Sequence, residues 1–420
     1  MDPAPVTAAL ADQKRQLLSL FLLSFSALLL EVLFIRWIGT EIQLFSYLKN
    51  LVLMACFLGL GAGCATPIKQ TQKFKPELVF PILLSVLVVI ISTSGLTDLA
   101  HVNLLIDNDV YDFSVGIGSA GRLLVNLLCL CGMFILIMAT FDQFGRLLGK
   151  EFAGLPPLKS YTINLLGSLL GVLAFCIASY LHLSPPFWLL AALLPLIPVY
   201  LQNKNKLIIL SLTTLLCVSA AWFSTASALW SPYSRIETQP ILEYHKDAFL
   251  KPVSYPVGTA IVVNHGQHQH TIDLSESFLK DHPEIKESNE FRAYELPYAA
   301  VPHPNEVLIL GAGTGNDVSA AVRHGAKHVD AVEIDPVIAA LGHTVHPEKP
   351  YDSPTVTLIQ DDARAFLSRS NKKYDLIALG QLDSGTALST MVSVRLDNYL
   401  YTKEALASIA EHLTPDGIVS

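Results

Sequence analysis

Charged residues are scarce in this chain of 420 residues. Only 15% of its residues are Asp, Glu, Lys or Arg, whereas 51% are hydrophobic, and the mean hydropathy is +0.45. Soluble globular domains typically contain about 25% charged residues. The scarcity of charge therefore excludes an ordinary soluble protein and predicts a part of the chain that lies in a membrane.

The second half has no net positive charge and no cysteine. Residues 231–420 carry a net charge of −10, against +2 for residues 1–230. A domain this acidic repels phosphate backbones, so we expect no nucleic-acid partner. All six cysteines lie before residue 230, where we expect small apolar side chains, and this distribution predicts neither a disulfide framework nor a zinc site.

The apolar residues of the first half form long runs. Seven runs follow one another without strand-like patterns between them, and most approach the roughly 20 residues that a helix needs to cross the hydrocarbon core. They are residues 17–35, 46–62, 78–94, 123–141, 163–181, 187–200 and 207–223. We predict seven transmembrane helices within residues 1–230, of which the sixth is short and carries Pro195 and Pro198. No cleavable signal peptide is predicted, because the first run continues too far.

A few polar and small residues stand out within these runs. Glu31 is a candidate functional residue because an ionisable group in hydrocarbon is costly, although a structural pair or a snorkelling contact involving Arg36 is an equally good interpretation. Gly167 and Gly171 form a G-x-x-x-G pattern that predicts close helix packing. Two asparagines are candidates for hydrogen bonds between helices: Asn126 and Asn164.

The second half begins with a small β-structure. Residues 259–263 and 271–274 alternate in polarity on either side of a turn at Asn264, His265 and Gly266, which predicts a β-hairpin. His265, His268 and His270 suggest a metal site, but no cysteine or further ligand pattern accompanies them. We therefore favour solvated histidines and predict no metal site.

Residues 306–336 contain the most informative pattern in the chain. An apolar strand runs into a glycine turn, then a helix from about Asn316, then a second strand that ends in Glu333. Gly311, Gly313 and Gly315 let the backbone turn tightly and approach a ligand, and a carboxylate at the tip of the second strand can accept hydrogen bonds from ribose hydroxyls. The pattern predicts a nucleotide site; the alternative is a tight turn in an unrelated α/β fold.

Strand and helix patterns alternate from residue 306 onward. The predicted elements are residues 306–310, 317–324, 328–333, 337–341, 355–359, 363–368, 374–379 and 403–413. This alternation predicts a parallel, doubly wound sheet. The last residues, HLTPDGIVS, predict the end of a helix, a turn and the start of a fifth strand. Because folds of this kind normally continue with two further strands, we expect either a fragment or a sheet edge that another segment covers.

Residues 231–420 resemble the spermidine synthase family of aminopropyltransferases, within the S-adenosylmethionine-dependent methyltransferase fold. SPYSRIE from Ser231 and SVRLDNYLYT from Ser393 are similar to the branch in which a multi-span membrane domain precedes the synthase-like domain. The resemblance implies a membrane domain at 1–230, a linker and β-hairpin subdomain at 231–302, and a Rossmann-like domain at 303–420. The Rossmann-like domain is expected to bind S-adenosylmethionine or its decarboxylated form.

The resemblance also implies cofactor-binding positions. Glu333 matches the ribose acid, Asp362 matches the carboxylate that accepts from the adenine amino group, and Gln269 matches a hairpin glutamine near the cofactor tail. The implied set is Gly311, Ala312, Gly313, Thr314, Gly315, Glu333, Ile334, Asp361, Asp362, Ala363 and Gln269.

Two positions depart from the family pattern. Thr314 stands where spermidine synthases carry an acid that holds the aminopropyl amine, and Gly380 begins GQLD where the family has D-S-S-D. The first carboxylate of that motif accepts the proton of the attacking amine, and here only Asp383 remains as the candidate base. Asp383 is equally well interpreted as a helix cap. Two residues of the following segment are candidates to assist it: Asp397 and Tyr399.

Three functions remain open at this point. The first is aminopropyl transfer to a polyamine or another amine, with Asp383 as base. The second is methylation of a small or membrane-delivered acceptor, which needs less apparatus because the sulfonium donor is already activated. The third is a transporter or sensor whose soluble domain binds a nucleotide without catalysis. We expect the lipid bilayer as a partner, and a homo-oligomer stays open.

The charge pattern conflicts with the expected location of the second half. Basic residues cluster in the second, fourth and sixth predicted loops, which the positive-inside rule places in the cytoplasm. Seven spans would then place residues 231–420 outside, whereas adenosyl cofactors are expected in the cytosol. We favour a multi-pass protein of the inner or plasma membrane with a cytosolic second half, which requires a different span count or an exception to the charge rule.

Overall fold

A computed structural model describes residues 3–42, 44–45, 48–66, 75–94, 119–201, 203–246, 252–287, 289–380 and 400–420. The chain divides into two compact units, Met1–Ala228 and Leu229–Ser420. The predicted division of the second unit near residue 302 stays a prediction.

The first unit is built from helices, and each of the seven apolar runs overlaps described helical residues. The helices are α1 Pro3–Glu41, α2 Lys49–Ala65, α3 Pro76–Ser92, α4 Ser119–Phe152, α5 Pro157–Tyr180, α6 Pro185–Leu193, α7 Ile197–Tyr200 and α8 Lys204–Thr225. A short 3₁₀ turn, Leu194–Leu196, separates α6 from α7. Pro195 and Pro198 lie in this broken segment, where a missing backbone N–H interrupts the regular helical hydrogen bonds.

Within the described residues, four helical segments are long and apolar enough to cross a membrane. They are Asp12–Glu41, Leu124–Phe152, Pro157–Tyr180 and Lys204–Thr225. The other three predicted spans correspond to shorter apolar segments: Asn50–Ala65, Pro76–Ser92 and Pro185–Tyr200. Four of the seven predicted spans thus have the length of a transmembrane helix. The other three are shorter than the roughly 20 residues that a helix needs to cross the hydrocarbon core.

Glycines bring α1 and α5 into close contact. A methyl group on Gly167 would lie 2.6 Å from the Phe21 carbonyl oxygen, and one on Gly171 would overlap the Phe25 carbonyl oxygen. The Ser24 hydroxyl donates to Asn164 Oδ1 across the same interface at 2.8 Å. The predicted G-x-x-x-G contact and the predicted interhelical role of Asn164 are therefore confirmed.

The second unit begins with a four-stranded antiparallel sheet in the order β1-β2-β3-β4. Its strands are β1 Leu229–Trp230, β2 Arg235–Lys246, β3 Pro252–Val263 and β4 Gly266–Ile272. Asn264 and His265 both have positive φ, 51° and 63°, as a two-residue hairpin turn requires. The predicted hairpin is confirmed, but its first strand, β3, begins at Pro252 instead of residue 259, and its second strand, β4, begins at Gly266 instead of residue 271. Its polar sequence, GQHQHTI, gives no apolar alternation to mark the start.

A five-stranded parallel sheet follows, in the order β7-β6-β5-β8-β9. The elements from residue 276 onward are α9 Glu276–Asp281, α10 Asn289–Ala300, β5 Glu306–Leu310, α11 Asn316–Arg323, β6 His328–Glu333, α12 Pro336–Thr344, β7 Val356–Gln360, α13 Ala363–Arg369, β8 Tyr374–Leu379, α14 Lys403–Glu411 and β9 Leu413–Val419. This confirms the predicted Rossmann-like, doubly wound sheet. The strand order reverses between β5 and β8, which is where open α/β sheets bind ligands beyond their carboxyl ends.

Candidate functional site

The glycine loop lies directly after β5, beside the point where the strand order reverses. Gly311, Gly313 and Gly315 have φ angles of 75°, 58° and 106°, a region that side chains disfavour. Gly315 is the N-cap of α11, so the helix begins at the loop as the sequence predicts. The loop therefore presents backbone N–H groups at the carboxyl edge of the sheet.

Glu333 fixes the loop from the neighbouring strand. The Gly313 N–H donates to Glu333 Oε2 and the Asp335 N–H donates to Oε1, both at 2.8 Å. Burial raises the pKa of Glu333, while the N–H groups of Asp335 and Gly313 lower it. Each oxygen of a carboxylate can accept a second hydrogen bond. Glu333 therefore has the position and the remaining acceptor capacity to hold a diol at the loop.

Gln269 reaches the glycine loop from β4. Its Oε1 accepts from both the N–H and the hydroxyl of Thr314, each at 2.9 Å. A methyl group on Gly313 would lie 2.6 Å from the same oxygen. Because the amide oxygen is engaged twice, the Gln269 NH₂ group is directed away from Thr314. The sequence placed Gln269 near the cofactor tail, and the structure places it on the loop itself.

The three predicted positions after β7 have different surroundings. Asp362 is the N-cap of α13, and its Oδ1 accepts from the Ala365 N–H at 2.8 Å. Asp361 forms an ion pair with Arg369 and accepts the Asp362 N–H at 2.9 Å. Ala363 belongs to the hydrophobic core. The Asp361 N–H donates to the Glu333 backbone oxygen at 3.2 Å, which joins this segment to the end of β6.

Ile334 and Gly380 are the remaining described positions named from the sequence. Ile334 follows Glu333 and is partly exposed. The Gly380 N–H donates to the Leu310 backbone oxygen at 2.9 Å, and a methyl group on Gly380 would overlap the Gly311 carbonyl oxygen. This backbone contact leaves no room for the carboxylate of the family pattern. Asp383, Asp397 and Tyr399 lie outside the described residues.

Ser231, Tyr233 and Asp335 are site residues to which sequence reasoning gave no role. The buried Ser231 hydroxyl donates to Asp335 Oδ2 at 2.6 Å, while Asp335 Oδ1 caps α12. Burial and then the charges of Asp335, Asp362 and Glu333 raise the pKa of Tyr233. Tyr233 thus lies within electrostatic range of all three acids. The motif SPYSRIE was the available signal, but it carried only a resemblance.

A buried polar network supports the loop from behind. His346 Nε2 lies 3.0 Å from Asn316 Oδ1, and His346 Nδ1 accepts the Glu348 N–H at 3.1 Å. Asn316 Nδ2 in turn donates to the His270 carbonyl and to the Tyr294 hydroxyl. Burial and then Arg323 lower the pKa of His346 to about 4, so the ring is neutral and donates from Nε2. The network ties α11 to β4, the strand that carries Gln269.

No metal-binding group of three or more His, Cys, Asp or Glu side chains occurs in the described parts of the chain. The site consists of a glycine loop, two strand-tip acids and a hairpin amide, which suits hydrogen bonding to a nucleoside.

Residues 293–420 match the family described as spermine/spermidine synthase domain. This part of the chain is similar to the spermidine synthase family. The match includes the glycine loop and supports the family resemblance that this loop suggested.

Named relatives of this chain fall into two groups of transferases. Putrescine N-methyltransferase 2 of Nicotiana tabacum is 26% identical over 53% of this chain and 58% of that protein. The polyamine aminopropyltransferase of Alkaliphilus metalliredigens (strain QYMF) is 29% identical over 32% of this chain and 47% of that protein. The chain spans about half the length of the curated relatives it matches. The solved spermidine synthase from Thermotoga maritima is 14% identical, covers 44% of this chain and 57% of its own, and has a TM-score of 0.30.

Proposed function

We propose that the second unit is a transferase that binds an adenosyl sulfonium donor and acts on a polyamine or a related amine. The main support for this proposal is the position of Glu333, whose carboxylate is hydrogen-bonded to the glycine loop where the strand order reverses. The family match and the names of the relatives support this proposal. The donor is S-adenosylmethionine or its decarboxylated form.

In this proposal the residues of the chain bind and orient the donor. Glu333 accepts from the ribose hydroxyls, and Asp362 accepts from the adenine amino group through the oxygen that does not cap α13. The glycine loop allows close approach of the backbone. The bound donor supplies an activated carbon on its sulfonium, so the chain contributes mainly alignment with the acceptor nitrogen.

Aminopropyl transfer is the first candidate reaction, as in the named aminopropyltransferases. It needs a base for the amine proton, and Asp383 is proposed for that role. Methyl transfer is the second candidate, and one observation favours it. Thr314 replaces the loop acid, and its hydroxyl is bound to Gln269, so the loop offers no carboxylate to an aminopropyl ammonium group.

Turnover by the purified full chain separates the two reactions. The protein is incubated with putrescine and either S-adenosylmethionine or its decarboxylated form, and the products are identified by mass spectrometry. Spermidine from the decarboxylated donor supports aminopropyl transfer, whereas a methylated amine from the intact donor supports methyl transfer. An absence of product from either donor, despite donor binding, would favour a non-catalytic sensor or transporter.

The membrane location is part of the proposal. Four helices of sufficient length and apolar character support a multi-pass protein of the inner or plasma membrane, and the cytosolic supply of adenosyl donors supports a cytosolic second unit. The basic loops argue for the opposite side. Two fusions after residue 420, one to a reporter that is active only in the cytosol and one to a reporter that is active only outside it, determine on which side of the membrane the second unit lies. Activity of the second reporter alone would contradict the adenosyl-donor proposal as well.

A further inference from the structure

Glu31 is a buried carboxyl group inside the longest helix of the first unit. It lies on α1, is 2% exposed, and is flanked by the fully packed side chains of Leu30 and Phe34. Its Oε2 has no hydrogen-bond partner among the residues that the structure describes. An unpartnered polar atom in such a place is uncommon, because buried polar groups are nearly always hydrogen-bonded.

Two other acids of the first unit have partners. Glu41, also buried, accepts from Trp37 Nε1 at 3.2 Å. Glu77 Oε1 lies 3.2 Å from Lys206 Nζ and 3.7 Å from Lys150 Nζ. Glu31 therefore differs from Glu41 and Glu77 because one of its carboxyl oxygens has no hydrogen-bond partner among the described residues.

Four described cations of the first unit have partners other than Glu31. Arg36 donates to the Ser179 hydroxyl and lies over the Trp188 ring, 4.9 Å from its centroid. The sequence interpretation of an Arg36 pair with Glu31 is therefore not what the structure shows. Arg146 pairs with Asp142 at 2.9 Å, and the lysines 150 and 206 pair with Glu77. On α2, the buried Cys56 thiol lies within electrostatic range of Glu31, and a thiol brings no positive charge.

The energetics of burial decide the protonation state. An ionised carboxylate without a partner costs several kcal/mol in a low-dielectric interior, on the order of the whole stability of many domains. A neutral carboxyl group avoids this cost. We propose that Glu31 is a proton-binding site in the helix bundle, a neutral carboxyl group between α1 and α2 that takes up and releases a proton. This site is independent of the transferase proposed for the second unit.

Infrared difference spectroscopy on the purified full chain tests the proposal. Spectra of the wild type and of Glu31→Gln are compared near neutral pH, in H₂O and in D₂O. We expect the variant to lose one protonated-carboxyl C=O band that shifts on deuteration. Loss of an ionised-carboxylate band instead would overturn the proposal.

A labelling experiment covers the case in which Glu31→Gln does not fold. A hydrophobic carbodiimide adds to a protonated carboxyl group and leaves a stable N-acylurea, with the carboxyl proton and oxygen both retained in the adduct. In wild-type protein we expect the adduct at Glu31, with labelling that falls roughly tenfold per pH unit above the titration midpoint. Glu77, which is ion-paired, is the internal control. An adduct at Glu77 with none at Glu31 would contradict the assignment.

Discussion

Gln269 on β4 and Thr314 in the glycine loop are joined by two hydrogen bonds, both to Gln269 Oε1 and both 2.9 Å long. The two residues are 45 positions apart in sequence. The contact holds the hairpin against the loop and fixes the orientation of the amide, because a flipped amide would lose both bonds.

Replacement of Gln269 by Ala should release the loop. The buried N–H and hydroxyl groups of Thr314 would lose their hydrogen-bond acceptor, which costs about 1–3 kcal/mol. If binding of the adenosyl donor must then re-order the loop, its affinity should fall by about tenfold or more. Isothermal titration of the full chain with the donor measures this change. Gln267→Ala is the matched control, because Gln267 lies on the same strand but is exposed. Equal affinities of the two variants would show that the Gln269 contact does not support the site.

Gly313→Ala should impair the loop through two separate effects. Its φ of 58° disfavours a side chain, and the added methyl group would press on Gln269 Oε1 at 2.6 Å. Gly325→Ala shares the first effect alone, since its φ is 72° and its surroundings are open. We expect Gly325→Ala to lose about 1 kcal/mol of stability and Gly313→Ala to lose about 1–3 kcal/mol more, seen as a lower unfolding midpoint. Similar midpoints for both variants would remove the steric argument.

His346 should make the second unit sensitive to acid. Its pKa is lowered from 6.5 to about 4 in the folded protein, so its neutral form stabilises the fold above about pH 6.5. That contribution is lost as the pH falls from about 6.5 to about 4, by up to about 3 kcal/mol. Burial raises the pKa of Asp317 to about 6, which acts in the opposite direction over the same range.

Comparing the pH dependence of stability in the wild type and in His346→Gln isolates the contribution of His346. Hydrogen exchange of α11, corrected for intrinsic rates, should show protection that decreases more steeply with acid in the wild type than in the variant. Parallel pH profiles would mean that His346 does not carry the effect.

The sequence predicted some parts of the fold to the residue and missed others for physical reasons. β5, β6 and β8 were predicted with their observed bounds. β5 and β8 consist mostly of buried apolar residues, as is typical of parallel strands, and β6 was marked by its place between the helix after the glycine loop and Glu333. β4 was predicted to start too late, since both its faces are polar. The loop glycines and Glu333 were found because their spacing within one βαβ unit is local.

Contacts between distant segments could not be found in this way. His346 holds Asn316 across 30 positions, and Ser231 donates to Asp335 across 104. Neither pair has a sequence spacing that marks it. The sequence also could not explain why glycine replaces the first acid of the family pattern at position 380, because the close approach of the Gly311 carbonyl is a tertiary contact.

Gly171→Ala should weaken the first unit. The methyl group would overlap the Phe25 carbonyl oxygen and push α5 away from α1, with an expected loss of about 1–3 kcal/mol. Gly132→Ala on α4 is the control, since a methyl group there meets nothing within 4 Å and should be neutral or slightly stabilising. Thermal unfolding in detergent compares the two variants. Unchanged stability of Gly171→Ala would contradict close packing of α1 on α5.

Calorimetric titration of the full chain with S-adenosylmethionine and with its decarboxylated form tests the central claim most directly. We expect at least one donor to bind to the wild type, and we expect Glu333→Gln to lower this affinity by about tenfold or more, because a charged ribose acceptor contributes roughly 1.5–3 kcal/mol. Glu404→Gln, at an exposed position of α14, should bind as the wild type does. Binding of neither donor to correctly folded protein, or equal binding by Glu333→Gln, would contradict the account.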